Sequence, residues 1–274
     1  MVEIVALLTC RDRKDKTESC IRSLSEGNSN CHFTFVIVDD GSTDGTKERI
    51  TELKRDYDIH LLEADGNLYY SGGMRKGMLY ILHNMPFKYD YLLMLNDDVI
   101  FFENSILKMV TQSTEMNQAI IVGAACEEDG QLSYSAIQYT KGIKYRKIPV
   151  SEWDVEADTF NANAVLLPYK AFETVGAMDM HYRHSLGDFD YGLELKRNGY
   201  SIHVSKEYVG ICKSNSEKGM WTDSALKRVE RIKRKESIKG APFKQWFYFL
   251  KKNFGIMVAI KSSCTPYIRI LLGK

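Results

Sequence analysis

An α/β fold built on a mainly parallel sheet is predicted by three features of this 274-residue sequence. Short apolar runs rich in β-branched residues recur along the chain. Each is followed by polar turn residues and then a helical pattern, and two of them end abruptly in acidic residues. Strands that alternate with helices imply right-handed crossovers and a sheet whose ligands gather at the carboxyl ends of the strands.

Taken in order, Ile4–Leu8 and Phe33–Val38 read as strands, and Thr17–Leu24 and Thr46–Leu53 as the helices that follow them. Ser42, Thr43 and Asp44 offer N-cap chemistry to the second helix. Ile59–Leu62 is a third strand. Beyond Gly66 and a break at Ser71-Gly72-Gly73, Met74–His83 reads as a helix, and Tyr91–Leu95 as a strand ending in Asn96-Asp97-Asp98. Ile120–Ala125 and Ala164–Leu167 are further strands. Phe189–Asn198 is a helix stopped at Gly199-Tyr200 before the strand Ser201–Val204. Between Asp129 and Asp158 the pattern fits either a β-hairpin or a mobile loop.

A content of 44% hydrophobic and 27% charged residues is ordinary for a globular protein, which excludes a disordered chain. The net charge of +1 conceals an asymmetry: from Lys213 onward fifteen Lys/Arg face four Asp/Glu, a surplus of eleven, so the first 212 residues carry about ten negative charges. Residues 1–212 are therefore expected to form an acidic body suited to a site that gathers metal, and residues 213–274 a basic, amphipathic helical appendage suited to an anionic membrane surface. Within it, Leu226, Val229 and Ile232 form the apolar positions of a segment Ser224–Ile238, and Pro242 precedes Trp246–Phe249 and a last helix.

The first residues have no basic segment ahead of a signal-like apolar run, and no apolar stretch approaches the ~20 residues needed to span a bilayer. The expectation is a cytoplasmic protein, peripheral on the inner face of the membrane. Six scattered cysteines without a CxxC pair predict free thiols.

The chemistry concentrates at strand ends. Asp39-Asp40 directly follows Val36-Ile37-Val38, where carboxylates can accept hydrogen bonds from a base or ribose; Asp44 with Thr43 suits a helix cap. Asn96-Asp97-Asp98 closes a second run, and hard divalent cations with phosphate cargo take one or two such carboxylates. Gly72-Gly73 with Arg75 and Lys76 could bring backbone N–H groups and cations to an anion, or form a plain loop-to-helix turn. Asp188 and Asp190 open a helix; Asp188 could take a proton from a hydroxyl, while Asp190 suits a helix cap. His181, His184, Ser185 and Cys212 raise a hydrolase reading that no GxSxG elbow supports.

As an ordered set, Val36–Thr46, Tyr69–Gly77, Leu92–Val99 and Gly187–Tyr200 resemble the family 2 glycosyltransferases of the GT-A fold, especially their rhamnosyltransferase-like bacterial surface-polysaccharide branch. The resemblance covers about the first 210 residues. It implies an inverting transfer of a hexosyl or deoxyhexosyl unit from a UDP- or dTDP-linked sugar to a growing glycan or lipid-linked acceptor. It also implies that Thr9, Arg11 and Asp39 or Asp40 cradle the nucleoside, that Asp97 meets the ribose, and that Asp98 holds Mg²⁺ or Mn²⁺ on the diphosphate. Asp188 becomes the catalytic base. Asp190 and, by analogy, Trp221 lie toward the acceptor.

Three positions depart from the family pattern. Asn96 stands for an Asp of the metal turn, Gly187 for a Glu beside the base, and Cys212-Lys213 for a metal-holding His; Lys213, if it points inward, offsets diphosphate charge. The rival functions are a sugar nucleotidyltransferase, disfavoured because Thr9–Arg13 lacks glycine, and a catalytically silent relative acting as a binding partner. Nucleic-acid binding is disfavoured because no reading motif accompanies the basic charge.

Overall fold

The computed structural model describes all residues except 86–88, 215, 217 and 274. In chain order its elements are β1 (Val2–Cys10), α1 (Lys14–Gly27), β2 (Cys31–Asp39), α2 (Thr46–Leu53), β3 (Asp58–Glu63), α3 (Tyr69–Asn84), β4 (Tyr91–Leu95), β5 (Ile100–Phe101), α4 (Ser105–Glu115) and β6 (Ile120–Cys126). There follow β7 (Leu132–Tyr134), β8 (Ala136–Lys141), β9 (Lys144–Lys147), β10 (Thr159–Phe160), β11 (Ala164–Pro168), α5 (Tyr169–Val175), α6 (Gly187–Arg197) and β12 (Ile202–Ile211). Helices α7 (Arg228–Lys235), α8 (Phe243–Phe254), α9 (Ile256–Ser263) and α10 (Thr265–Leu271) complete the chain.

Along the main sheet the strands run β3-β2-β1-β4-β11-β6-β12-β5, with β7 on β6. β1 pairs in parallel with β2 on one side and β4 on the other. β11 is inserted antiparallel between β4 and β6, and β12 is parallel to β6. The carboxyl ends of β1, β2, β4, β6 and β12 therefore share one edge with the start of β11, and that edge receives the acidic turns. The alternation of side chains feeds two cores: Ile4, Ala6 and Leu8 of β1 face one apolar cluster, Val5 and Leu7 the other. Helices cover both faces, as a sheet with nearly continuous apolar strands requires.

The strands and helices foreseen from periodicity are present, and the region between Asp129 and Asp158 adopts the hairpin alternative, β8 pairing with β9. Three details differ. Helix α3 begins at Tyr69, so Ser71-Gly72-Gly73 lies inside the helix and is no break. A Cβ on Gly73 would stand 2.3 Å from Thr9 Oγ1, so the small residue lets α3 lie directly on the end of β1.

Strand β12 continues to Ile211 past an irregularity between Val204 and Tyr208. There Ser205 Oγ accepts from Ala124 N–H and donates to Glu207 O, while the charged pair Lys206-Glu207 hides the strand pattern.

The third difference lies in the basic region. In α7, Val229 is 67% exposed whereas Arg231 is only 2% exposed, so one of the three expected apolar positions is turned outward, Leu226 and Ile232 stay half-buried, and a cation is turned in. Buried cations need partners: Arg231 Nε donates to Trp221 O at 2.8 Å, and Lys235 Nζ donates to Ala241 O. Burial pushes the Lys235 amine down to about 8.

Helix α8 packs on α6 through Phe249 and Leu250 against Tyr182, Phe189 and Leu193. Beside that contact Lys252 Nζ meets Asp190 Oδ2 at 2.7 Å, Glu194 Oε2 at 2.9 Å and Asp179 Oδ2 at 3.0 Å. Lys252→Met would leave the buried Asp190 carboxylate without its cation, and is expected to lower unfolding stability in urea by about 3 kcal/mol. A loss within error of zero would show that α8 is not held by this cluster.

Candidate active site

Thr9 ends β1 with its Oγ1 donating to Val38 O at 3.1 Å, a bond that levels the ends of β1 and β2. Asp39 and Asp40 follow at the end of β2, both buried. Asp39 Oδ1 accepts from Ser42 N–H and Oγ–H, closing an Asx-type turn.

Asp40 has a different task. Its two oxygens accept the backbone N–H groups of Gly66 (3.1 Å), Leu68 (3.1 Å) and Tyr69 (2.8 Å), so it organises the loop that leads into α3. Gly66 in that loop has φ +87 and lies under the Arg11 guanidinium, whose Nη1 donates to its carbonyl. Arg11 and Asp40 thus hold one loop from opposite sides.

Gly72 and Gly73 are buried in α3, and the Gly72 N–H donates to Arg183 O at 3.2 Å. Arg75 is different: its Nη1 is buried with no hydrogen-bond partner among the described residues. Such an orphaned donor is what a phosphate or sugar oxygen would satisfy.

At the end of β4, the Asn96 N–H donates to Asn163 O at 3.1 Å, which ties the acidic turn to the turn before β11. Asp97 is buried. Arg13 Nη1 lies 2.9 Å from Asp97 Oδ1, Thr17 Oγ1 donates to Oδ2 at 3.4 Å, and burial, only partly offset by Arg13, pushes the carboxyl up to about 6. Asp98 is partly exposed. One of its oxygens meets Arg13 Nη2 at 2.8 Å and the other lies 3.6 Å from the Cys212 thiol.

Burial and the neighbouring Asp98 raise that thiol to about 12, so Cys212 stays protonated. Lys213 is exposed, next to Glu127 in charge terms. Among the described residues no group of three or more His, Cys, Asp and Glu converges as a metal site. Asp98 is the partly exposed carboxylate of this turn, and a single carboxylate of that kind is chemically suited to a hard cation that draws its other ligands from phosphate and water.

Asp188 sits in the first turn of α6, partly exposed, with Oδ1 accepting from Phe189 N–H at 2.9 Å and Oδ2 facing Ala162 N–H at 3.4 Å. Because Ala162 lies in the turn before β11, the far-off α6 reaches the same sheet edge. Burial raises the Asp188 carboxyl to about 6 against these bonds and that of Asn161.

Tyr70, Tyr139 and Tyr145 all feel its charge. Tyr145, 54% exposed on the β8–β9 hairpin, stacks edge-on to Phe189 at 5.5 Å. The sequence offered no way to find Tyr139 and Tyr145, because the hairpin that carries them has no fixed spacing to Asp188.

Asp190 does not cap α6. It lies in the first turn, but its carboxylate is held by Lys252, Asn253 and the Tyr182 hydroxyl and makes no cap. The Trp221 carbonyl receives Arg231. The hydrolase reading gains nothing, since Ser185 Oγ donates to Lys239 O and burial lowers His184 to about 4.

Arg13 is the site residue that sequence reasoning missed. It is separated by more than eighty positions from the two carboxylates it bridges, and only the pairing of β1 with β4 brings them together. Asp40→Ala would orphan three backbone N–H groups, and a stability loss of about 3 kcal/mol in urea unfolding is expected. An unchanged midpoint would make Asp40 a ligand residue without a structural task.

The sequence matches the family model described as glycosyl transferase family 2 over residues 6–175, more than half of the chain. A search of curated proteins found no match. Among solved structures, the mannosyltransferase PcManGT from Pyrobaculum calidifontis, in complex with GDP-Man and Mn²⁺, aligns with a TM-score of 0.59 at 10% identity, over 98% of this chain and 73% of that one. S. aureus TarS 1-349 in complex with UDP-GlcNAc aligns with a TM-score of 0.58 at 12% identity, over 98% and 80%. The chain covers 44% of a longer S. aureus TarS structure. Identities this low speak for the fold alone, whereas the family match is one of sequence: with its acidic strand ends and mainly parallel sheet, the chain belongs to glycosyl transferase family 2.

Proposed function

We propose that this glycosyltransferase carries out a single inverting displacement, moving a hexosyl or deoxyhexosyl unit from a nucleoside-diphosphate sugar to a hydroxyl of a glycan or lipid-linked acceptor in surface-polysaccharide synthesis. The observation that carries the reading is Asp188. It is a buried carboxylate on a half-buried residue, raised to about 6 by that burial, at the sheet edge that also holds the Asp97-Asp98 turn. A base near the working pH is efficient in proton transfer. Asp188 accepts the proton of the acceptor hydroxyl as its oxygen attacks the anomeric carbon, and the nucleoside diphosphate leaves.

Thr9, Arg11 and Asp39 border the nucleoside, and Asp97 the ribose. Gly72, Gly73 and Arg75 lie toward the diphosphate, with Lys213 adding positive charge at the rim. Asp40 contributes through the loop it holds. Asp98 would hold Mg²⁺ or Mn²⁺, which supplies charge neutralisation of the leaving diphosphate when bound. Tyr145 and Phe189 offer an aromatic wall for the acceptor sugar. Trp221 and its loop belong to the same side, while Asp190 acts there by fixing α6.

Residues 213–274 attach the enzyme to an anionic membrane surface. The support is in α9 and α10, where Met257 is 77% and Ile260 61% exposed, with Ile268 and Leu271 also outward and Lys261 and Arg269 exposed among them. No helix among the described residues is long and apolar enough to cross a membrane.

Asp188→Asn should lower kcat by roughly 10²–10⁴ with donor affinity unchanged, measured on a panel of UDP-, dTDP- and GDP-sugars with Mn²⁺ or Mg²⁺. The wild type is expected to lose kcat/KM as pH falls through about 6, because protonated Asp188 cannot accept a proton. A variant with full activity would refute the assignment. For the membrane contact, Met257→Asp with Ile260→Asp is expected to release the protein from phosphatidylglycerol vesicles while leaving soluble-donor hydrolysis intact. Equal binding by wild type to neutral vesicles and at high salt would count against the anionic surface.

A further inference from the structure

The displacement described above gives Arg13 no part. Its backbone N–H donates to Thr46 Oγ1 at 3.1 Å, which fixes the start of α1 against α2. Its guanidinium forks: Nη1 meets Asp97 Oδ1 at 2.9 Å and Nη2 meets Asp98 Oδ2 at 2.8 Å. One planar cation thus spans two consecutive carboxylates.

It reaches them from the solvent side, with 37% of its side chain exposed against 4% for Asp97. The second oxygen of Asp98 faces the Cys212 thiol. All four carboxylate oxygens of the turn therefore face a protein donor, Arg13 on Asp97 Oδ1 and Asp98 Oδ2, Thr17 on Asp97 Oδ2 and the Cys212 thiol on Asp98 Oδ1, and the guanidinium cannot be neutralised by losing a proton.

We propose that Arg13 is a resident counter-cation that keeps a divalent metal off Asp98 in the free protein, so that metal is admitted only together with the donor's diphosphate. The proposal rests on the reading of Asp98 as the metal-holding residue. The argument is one of charge. Two carboxylates and one guanidinium leave the turn at most one negative charge, and a lone divalent ion would have to displace the guanidinium from Asp98 while sharing a partly buried space with a like charge. A diphosphate removes that obstacle, because it brings enough negative charge for both cations. Mg²⁺ and Mn²⁺ in sites with few protein carboxylates commonly draw the rest of their ligands from phosphate and water.

The test is a titration of Mn²⁺ alone into the full-length protein, following free Mn²⁺ by electron paramagnetic resonance. The wild type is expected to take up little Mn²⁺. Arg13→Met and Arg13→Gln are expected to bind it roughly tenfold or more tightly, the scale of a lost charge-assisted hydrogen-bonded pair. Adding Asp98→Asn to either should abolish the gain.

Thermal melts establish that each variant is folded; Arg13→Gln, which can still hydrogen-bond the turn, carries the test if Arg13→Met does not fold. Equal Mn²⁺ affinity in wild type and variant, or a gain that survives Asp98→Asn, overturns the proposal and reduces Arg13 to an anchor of α1. The titration contains no nucleotide. If calorimetry finds that none of UDP, dTDP and GDP binds the wild type, the donor reading falls while the Mn²⁺ result still decides the role of Arg13 toward the ion.

Discussion

Parallel pairing of β1 with β2 on one side and β4 on the other is the constraint on which the rest depends. It sends three carboxyl ends to one edge of the sheet and, with them, four aspartates. Those groups are far apart along the chain but end within one shallow region, where burial alone would make their charges costly. The antiparallel β11 then serves a purpose a fourth parallel strand could not. By running the other way it begins at that same edge, and its leading turn, Asn161–Asn163, links the β4 turn to Asp188 of α6.

The protein divides the resulting charge between structure and chemistry. Asp40 is spent on three backbone N–H groups, and Asp190 on Lys252, Asn253 and Tyr182, so neither is free to change partners. Asp97 and Asp98 share Arg13. Among the described residues Asp188 has hydrogen bonds from backbone N–H groups and Asn161 and no ion-pair partner, which is why burial prevails and its carboxyl rises. A carboxylate held without a counter-charge is poorly placed for stability and well placed to receive a proton. Through α6 the basic C-terminal helices join the same arrangement, since α8 grips the helix that carries Asp188.

Most of the fold was legible because period and turn chemistry are local. The runs at Ile4–Leu8, Phe33–Val38 and Tyr91–Leu95 became β1, β2 and β4, and the acidic residues after the latter two fell at strand ends as expected. The errors occurred where a neighbour overrides the local pattern. Gly72 and Gly73 read as a break, yet both lie inside α3, where Gly73 packs closely on Thr9. Arg231 reads as a surface cation, yet it is buried with the Trp221 carbonyl as partner while Val229 faces water.

The sequence by itself determined the alternation of strands and helices, the acidic strand ends, the family, and the separation of an acidic body from a basic terminal region, because each is written in residues adjacent along the chain. Only the tertiary structure decided which aspartates serve the fold and which remain available. It also decided that Arg13 bridges Asp97 and Asp98, and that tyrosines of a hairpin enclose Asp188. The reason is that the state of a carboxylate is set by burial and by the donors around it, and those come from segments whose spacing in sequence bears no relation to their distance in space.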